Sequence, residues 1–253
     1  AVHAEFDATD NFWLVTGYDD VCSLARSPDI SANYLPGLFA GVQGGEAAFP
    51  IVNDFFGRWL IFRDGEDHAR LKRCMTKLFT RQRLQSLETF IDATARSCLE
   101  DSLASMTAQE PFDVVKSFAE PIPIRTIMHA LGFPASEAAR VKRWSDSVED
   151  WFGGPEPFET RCAAVTPTIV EFGAFVQTLM EDRRRQPGED IVSALLSLAD
   201  AGECDERDVA PNLFFLMAAA HETTSASART LVGFSAALCQ RVGRLPSDGA
   251  CSN

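Results

Sequence analysis

Basic residues are in deficit along this chain, with 23 Lys and Arg set against 36 Asp and Glu for a net charge of -13. Nucleic acids and anionic membranes need clustered cations to neutralise phosphate, so the deficit argues against both as partners. Close cysteine pairs are missing too. The seven cysteines, Cys22, Cys74, Cys98, Cys162, Cys204, Cys239 and Cys251, contain no C-x-x-C and are odd in number. That pattern speaks against a disulfide framework or structural zinc and for reduced thiols in a cytoplasm. No uninterrupted apolar run approaches the roughly 18 residues of a membrane span. The N-terminus, Ala1-Val2-His3-Ala4-Glu5-Phe6, lacks Met and lacks the basic start and apolar stretch of a signal peptide. It reads as a cut or processed beginning. Repeats, low-complexity tracts and linkers are also absent.

What remains is a chain of 253 residues, 46% hydrophobic, enough for one large domain with a sizeable core, so 1–253 reads as a single unit. Alternating apolar residues at Val2, Ala4 and Phe6, a polar stretch to Asn11 and the apolar run Phe12 to Val15 predict an N-terminal hairpin. Tyr18 to Arg26 reads as a short helix stopped by Pro28, and the Gly-rich stretch Pro36 to Pro50 as a loop. Leu84, Leu87, Ile91, Ala95 and Cys98 recur at helical spacing and predict a long helix with one core-facing side. Phe112 to Val115 suggests a short strand. Further helices are expected over Ile122 to Leu131, Ser136 to Trp151, Thr168 to Arg185, Asp190 to Ala199 and Asp205 to Cys239. Arg183-Arg184-Arg185 looks like a solvated helix end. The expected fold class is mainly α with a small N-terminal β element.

Within the last and longest helix, the bulky run Leu213-Phe214-Phe215-Leu216-Met217 gives way to Ala218-Ala219-Ala220 and then to His221-Glu222-Thr223-Thr224. Small residues leave room for something flat against the backbone. Thr223 can bond the Ala219 carbonyl one turn back, which is expected to bend or disturb the helix there. The segment resembles the central-helix motif of the cytochrome P450 family, Ala-Gly-x-Glu-Thr-Thr, with Ala220 in place of the usual Gly. A second stretch, Phe62 to Thr80, resembles the family's helix bearing His-x-x-x-Arg, with His68 matched and Lys72 at the arginine position. Lys72 keeps the charge but loses the planar fork. Weaker matches occur in the family's order: Phe12 to Asp20, Ala119 to Pro134, and Gly188 to Leu196. The resemblance covers roughly residues 10–238. The tail 239–253 is unmatched.

The resemblance implies a partial cytochrome P450 fold and a b-type haem held in part by His68, Lys72, Ala219, Ala220 and Thr223. It also implies Glu222 and Thr223 as the acid and alcohol that deliver protons, and an apolar small-molecule substrate that is hydroxylated. A ferredoxin-type or flavoprotein electron donor is expected, because the chain has no dinucleotide fingerprint. In the family the iron is bound by a cysteine thiolate within Phe-x-x-Gly-x-x-x-Cys, and no cysteine here has that context. A metal ligand is therefore expected to be missing from these residues, and the chain by itself to be inactive. Glu137-x-x-Arg140 and Glu181-x-x-Arg184 match a later family motif by letters alone. Two alternatives stay open: a haem-free relative acting as partner or activator of another enzyme, and a gene fragment without function. His68 and Lys72 are expected to face the central helix across an open cavity and to be partly exposed, since an unpaired buried charge is costly.

Overall fold

The structure, a computed structural model, describes residues 4–7, 12–105 and 113–242, with side chains over 13–104 and 113–231. Strands β1 (Ala4–Asp7) and β2 (Phe12–Val15) form the expected antiparallel hairpin, with Ala4 opposite Val15 and Asp7 opposite Phe12. Helices follow: α1 (Tyr18–Leu24), α2 (Leu35–Phe39), α3 (Pro50–Gly57), α4 (Gly65–Leu78), α5 (Arg81–Ser105), α6 (Pro121–Leu131), α7 (Ala138–Gly153), α8 (Phe158–Arg185), α9 (Ile191–Asp200) and α10 (Val209–Val242). The mainly helical class expected from the sequence is what the structure has.

One apolar cluster runs from Leu35 to Met217, and its densest part is aromatic. On α3, Val52, Phe55 and Phe56 fall at helical spacing and are buried. Phe56 stacks on Trp151 of α7 with ring centroids 3.8 Å apart, while Phe172 of α8 meets Phe214 of α10 at 4.4 Å. Burying each such ring stabilises the fold by about 1.5–3 kcal/mol. These contacts set the start of α10 firmly against α3, α7 and α8.

The sequence expectation fails at several places in the fold, each for a local reason. The stretch Pro36 to Pro50 is no plain loop: Leu35 and Phe39 are buried by α2, and Gly45–Ala48 forms a single 3₁₀ turn. The short strand is not there over 113–115, and Phe112 lies outside the described residues. Instead Asp113 accepts from the backbone N–H of Val115 at 3.1 Å and of Lys116 at 3.2 Å, starting a turn that continues as the π-helical segment Val115–Ala119. Helix α8 starts at Phe158 and passes through Pro167. Pro167 and Ala163, whose carbonyl loses its helical donor, both lie on the exposed side, where solvent can reach the unpaired carbonyl. By length and composition α8 is also apolar enough to cross a membrane, with a mean hydropathy of 1.3 over its best window. Yet Cys162, Val165, Ile169, Phe172, Val176, Leu179 and Met180 are buried in the core.

The Arg183 end of α8 is likewise less solvated than its charge suggested. Arg183 donates to Asp190 Oδ2 at 2.5 Å and to the Gly132 carbonyl at 2.9 Å. Asp190 also accepts from the Ser193 N–H at 2.8 Å, capping α9. Gly132 ends α6 with φ of 83°, and a Cβ there would meet Asp190 Oδ2 at 2.3 Å. Glycine is required by both conformation and space.

Candidate active site on the central helix

Along α10 the buried side passes through Leu213, Phe214, Met217, His221 and Ser225, while Ala219 and Thr223 are exposed. Steps of four residues keep each set on its own face. The Thr223 hydroxyl donates to the Ala219 carbonyl at 2.7 Å, as the sequence predicts. Ser227 does the same to Thr223 at 2.8 Å and Thr230 to Ala226 at 2.9 Å. No break in the helix interrupts 219–224: α10 is continuous α-helix from Val209 to Val242. These hydroxyls share carbonyls that remain in the helical ladder, so the extra bonds need not displace it.

Glu222, one residue before Thr223, points elsewhere. Its carboxylate lies toward α7, where one oxygen each of Asp146, Glu149 and Glu222 fall within 4.8 Å of one another. His221 Nδ1 is 2.9 Å from Glu222 Oε1 and 3.2 Å from Ser145 Oγ. Burial, reinforced by Asp146, pushes the Glu222 carboxyl above the usual range. Burial first, then the Lys142 charge, pushes His221 below its ordinary value, so the imidazole is read as neutral with its proton on Nδ1. Its Nε2 is buried without a hydrogen-bond partner. The sequence marked Glu222 but not Lys142, Ser145, Asp146 or Glu149, because α7 carries no motif and meets α10 only through the fold. His221 itself is only 2% exposed.

On α4, His68 is half-buried and Lys72 is exposed, matching the expected accessibility. His68 Nδ1 is 3.2 Å from the Leu60 carbonyl. A carbonyl can only accept, so Nδ1 carries the proton, and Nε2 can donate to an anion only in the imidazolium form. Neither His68 nor Lys72 makes an ion pair among the described residues. No hydrogen bond among the described residues joins them to 219–224.

A polar clamp fixes where α10 begins. Asn212, 1% exposed, accepts from the Leu60 N–H at 3.0 Å and donates to the Arg58 and Asp208 carbonyls, each at 2.8 Å. Beside it, buried Asp208 accepts from Arg63 at 2.8 Å and Arg58 at 3.3 Å. The clamp holds together the segment preceding α4 and the first turn of α10, the two elements that carry the candidate residues.

No protein-family model matches the chain. A methyl-branched lipid omega-hydroxylase of Mycobacterium bovis is 29% identical over 223 residues, covering 87% of this chain and 49% of that protein. A polyketide biosynthesis cytochrome P450, PksS of Bacillus subtilis, is 26% identical over 225 residues, covering 87% of this chain and 52% of that protein. Among solved structures, P450BioI in complex with an acyl carrier protein carrying hexadec-9Z-enoic acid superposes with a TM-score of 0.75 at 20% identity, over 88% of this chain and 55% of that one. The helical architecture with its long central helix is therefore that of a cytochrome P450. The chain is similar to cytochrome P450s over 87% of its length, and it spans about half the length of the curated relatives it matches.

Proposed function

We propose that the chain forms part of a haem-dependent monooxygenase that hydroxylates an apolar small molecule, with 1–253 as a single partial domain. The observation that carries this reading is the open face of α10, where small Ala219 and Thr223 are exposed beyond the buried turns of Leu213, Phe214 and Met217. A flat cofactor can approach backbone at such a face, and a large side chain there would hold it away. The basic groups agree: His68 and Lys72, one turn apart on α4 and in no ion pair among the described residues, suit a carboxylate-bearing ligand. A b-type haem thus fits the residues present, with His68 and Lys72 holding a propionate and Ala219, Ala220 and Thr223 bordering the ring. When bound, haem supplies oxygen activation at its iron.

In this reading the protein's own part is proton handling. Thr223 directs its proton to the Ala219 carbonyl and keeps its lone pairs available to accept. Glu222, with its carboxyl pushed up, can hold and release a proton closer to neutral pH than an exposed glutamate. The carboxylates of α7 connect it to solvent. Electrons come from a ferredoxin-type or flavoprotein donor, and the protein works in the cytoplasm. The lipid and polyketide named for its relatives make a long apolar chain the substrate class of choice.

Haem titration of the purified chain tests the site. Lys72→Glu, at an exposed position, and Ala219→Trp, which fills the open face, are each expected to weaken binding by about tenfold, or about 1.4 kcal/mol. Unchanged affinity in both variants refutes the placement. The reduced carbon monoxide difference spectrum is expected to lack a thiolate-type Soret band, because none of the seven cysteines has the ligand-loop context. A thiolate-type band abolished by replacing one of them would refute that expectation.

A further inference from the structure

Helix α4 and the turn that leads from α9 into α10 meet through two buried thiols. Cys74, late in α4, is 1% exposed, and Cys204, in the turn after α9, is 7% exposed. The Cys74 thiol donates to the Glu203 carbonyl at 3.1 Å. That carbonyl belongs to the peptide joining Glu203 to Cys204, so the Cys74 sulfur lies one peptide plane from the Cys204 Cα. The Cys204 thiol is near enough to Cys74 to be shifted by it, and it donates to the Leu195 carbonyl at 3.9 Å. Lys77, nearly one turn beyond Cys74, is ion-paired with Glu203 and pins the same two segments together. The other described cysteines sit apart: Cys22 in α1, Cys98 beside Arg125 and Cys162 beside Trp151.

We propose that Cys74 and Cys204 are an oxidisable dithiol, a modification site that closes to a disulfide tying α4 to the turn leading into α10. The oxidant is a small-molecule disulfide of the glutathione class. One protein thiolate attacks it, forming a mixed disulfide and releasing one glutathione thiol. The second protein thiolate then attacks the protein sulfur of the mixed disulfide and displaces the second glutathione. Two S–H bonds of the protein are lost and one S–S bond forms, and the two protons and two electrons end on two glutathione thiols. Burial, then the adjacent Cys74 thiol, pushes Cys204 up to about 12, so at neutral pH this thiol is protonated. Exchange is therefore slow and waits on opening of the turn. The inference does not depend on the haem reading.

The folded 253-residue chain is incubated with oxidised glutathione, its remaining thiols are alkylated, and the digest is read by mass spectrometry. The expected result is a peptide pair joining Cys74 to Cys204, lighter by two hydrogens than the separate thiols and lost on reduction. Oxidation should also raise the Tm of the wild-type chain and of Cys22→Ser, but not of Cys74→Ser or Cys204→Ser. Mildly alkaline incubation, which enriches thiolate, should raise the yield of the cross-link. Absence of the cross-link even there, or equal cross-linking of either cysteine to Cys22, Cys98 or Cys162, overturns the proposal.

Discussion

Replacing Asn212 with leucine would remove three hydrogen bonds while keeping a side chain of similar size in a site that is 1% exposed. The Asp208 carbonyl retains its place in the helical ladder, but the Leu60 N–H and the Arg58 carbonyl lose the partners they hold at 3.0 Å and 2.8 Å. An orphaned buried polar group costs about 1–3 kcal/mol, so two of them put the loss at about 2–6 kcal/mol, partly offset by the apolar side chain. Against a typical stability of about 5–15 kcal/mol this is a large fraction. Urea denaturation followed by far-UV circular dichroism should show a lower midpoint with an unchanged slope. Because the clamp joins residues 58–60 to the first turn of α10, hydrogen exchange should quicken in both segments together. A loss below about 0.5 kcal/mol, within the range of ordinary surface substitutions, would refute the idea that these bonds set the position of α10.

Other expectations are as direct. Gly132→Ala places a side chain at φ of 83° and against Asp190, so it should cost about 2–4 kcal/mol in a urea titration, and a cost below about 1 kcal/mol would contradict the packing described there. Glu222→Gln tests the raised carboxyl. The folded state holds the Glu222 proton more tightly than the unfolded chain, so the wild type loses stability as pH rises from the ordinary glutamate range through the raised value. The glutamine variant should therefore gain relative to wild type from acid to neutral pH, and a pH-independent difference would refute the reading. His221 has the opposite sign: its depressed value means stability present above the ordinary imidazole range and lost as pH falls below it. Burial is the largest cause of both shifts, and the charged groups facing the pair are Lys142, Asp146, Glu120 and Arg229, so His221→Gln should flatten the loss on the acid side.

Periodicity made the long elements legible. The spacing of Leu84, Leu87, Ile91, Ala95 and Cys98 marks α5, and the run from Leu213 to Met217 marks a buried start for α10. The Thr223 bond to Ala219 follows from a four-residue step and could be read directly. Its consequence could not, because whether a shared carbonyl bends a helix depends on everything packed around it. Pro167 hid the first third of α8, since sequence alone cannot tell whether the orphaned carbonyl faces water or core. The surroundings of Glu222 were invisible for a different reason: Ser145 and Asp146 are brought to it by helix packing and share no pattern with it. The same holds for Cys74 and Cys204, where distant spacing argued against pairing and the fold placed them side by side.

The aromatic contacts of α3 set a condition on how the chain can fold as it is made. Phe55, Phe56 and Trp59 leave the ribosome early, yet their stacking partners Trp151, Phe214 and Phe215 lie on α7 and α10, far later in the chain. Contacts of such long sequence separation carry the loop-closure cost before any return, which slows folding and leaves apolar surface uncovered meanwhile. Local helices such as α4 and α5 can form as they emerge, but the aromatic centre must wait for α10. Translation through α10 is thus the earliest step at which these aromatic contacts can all close.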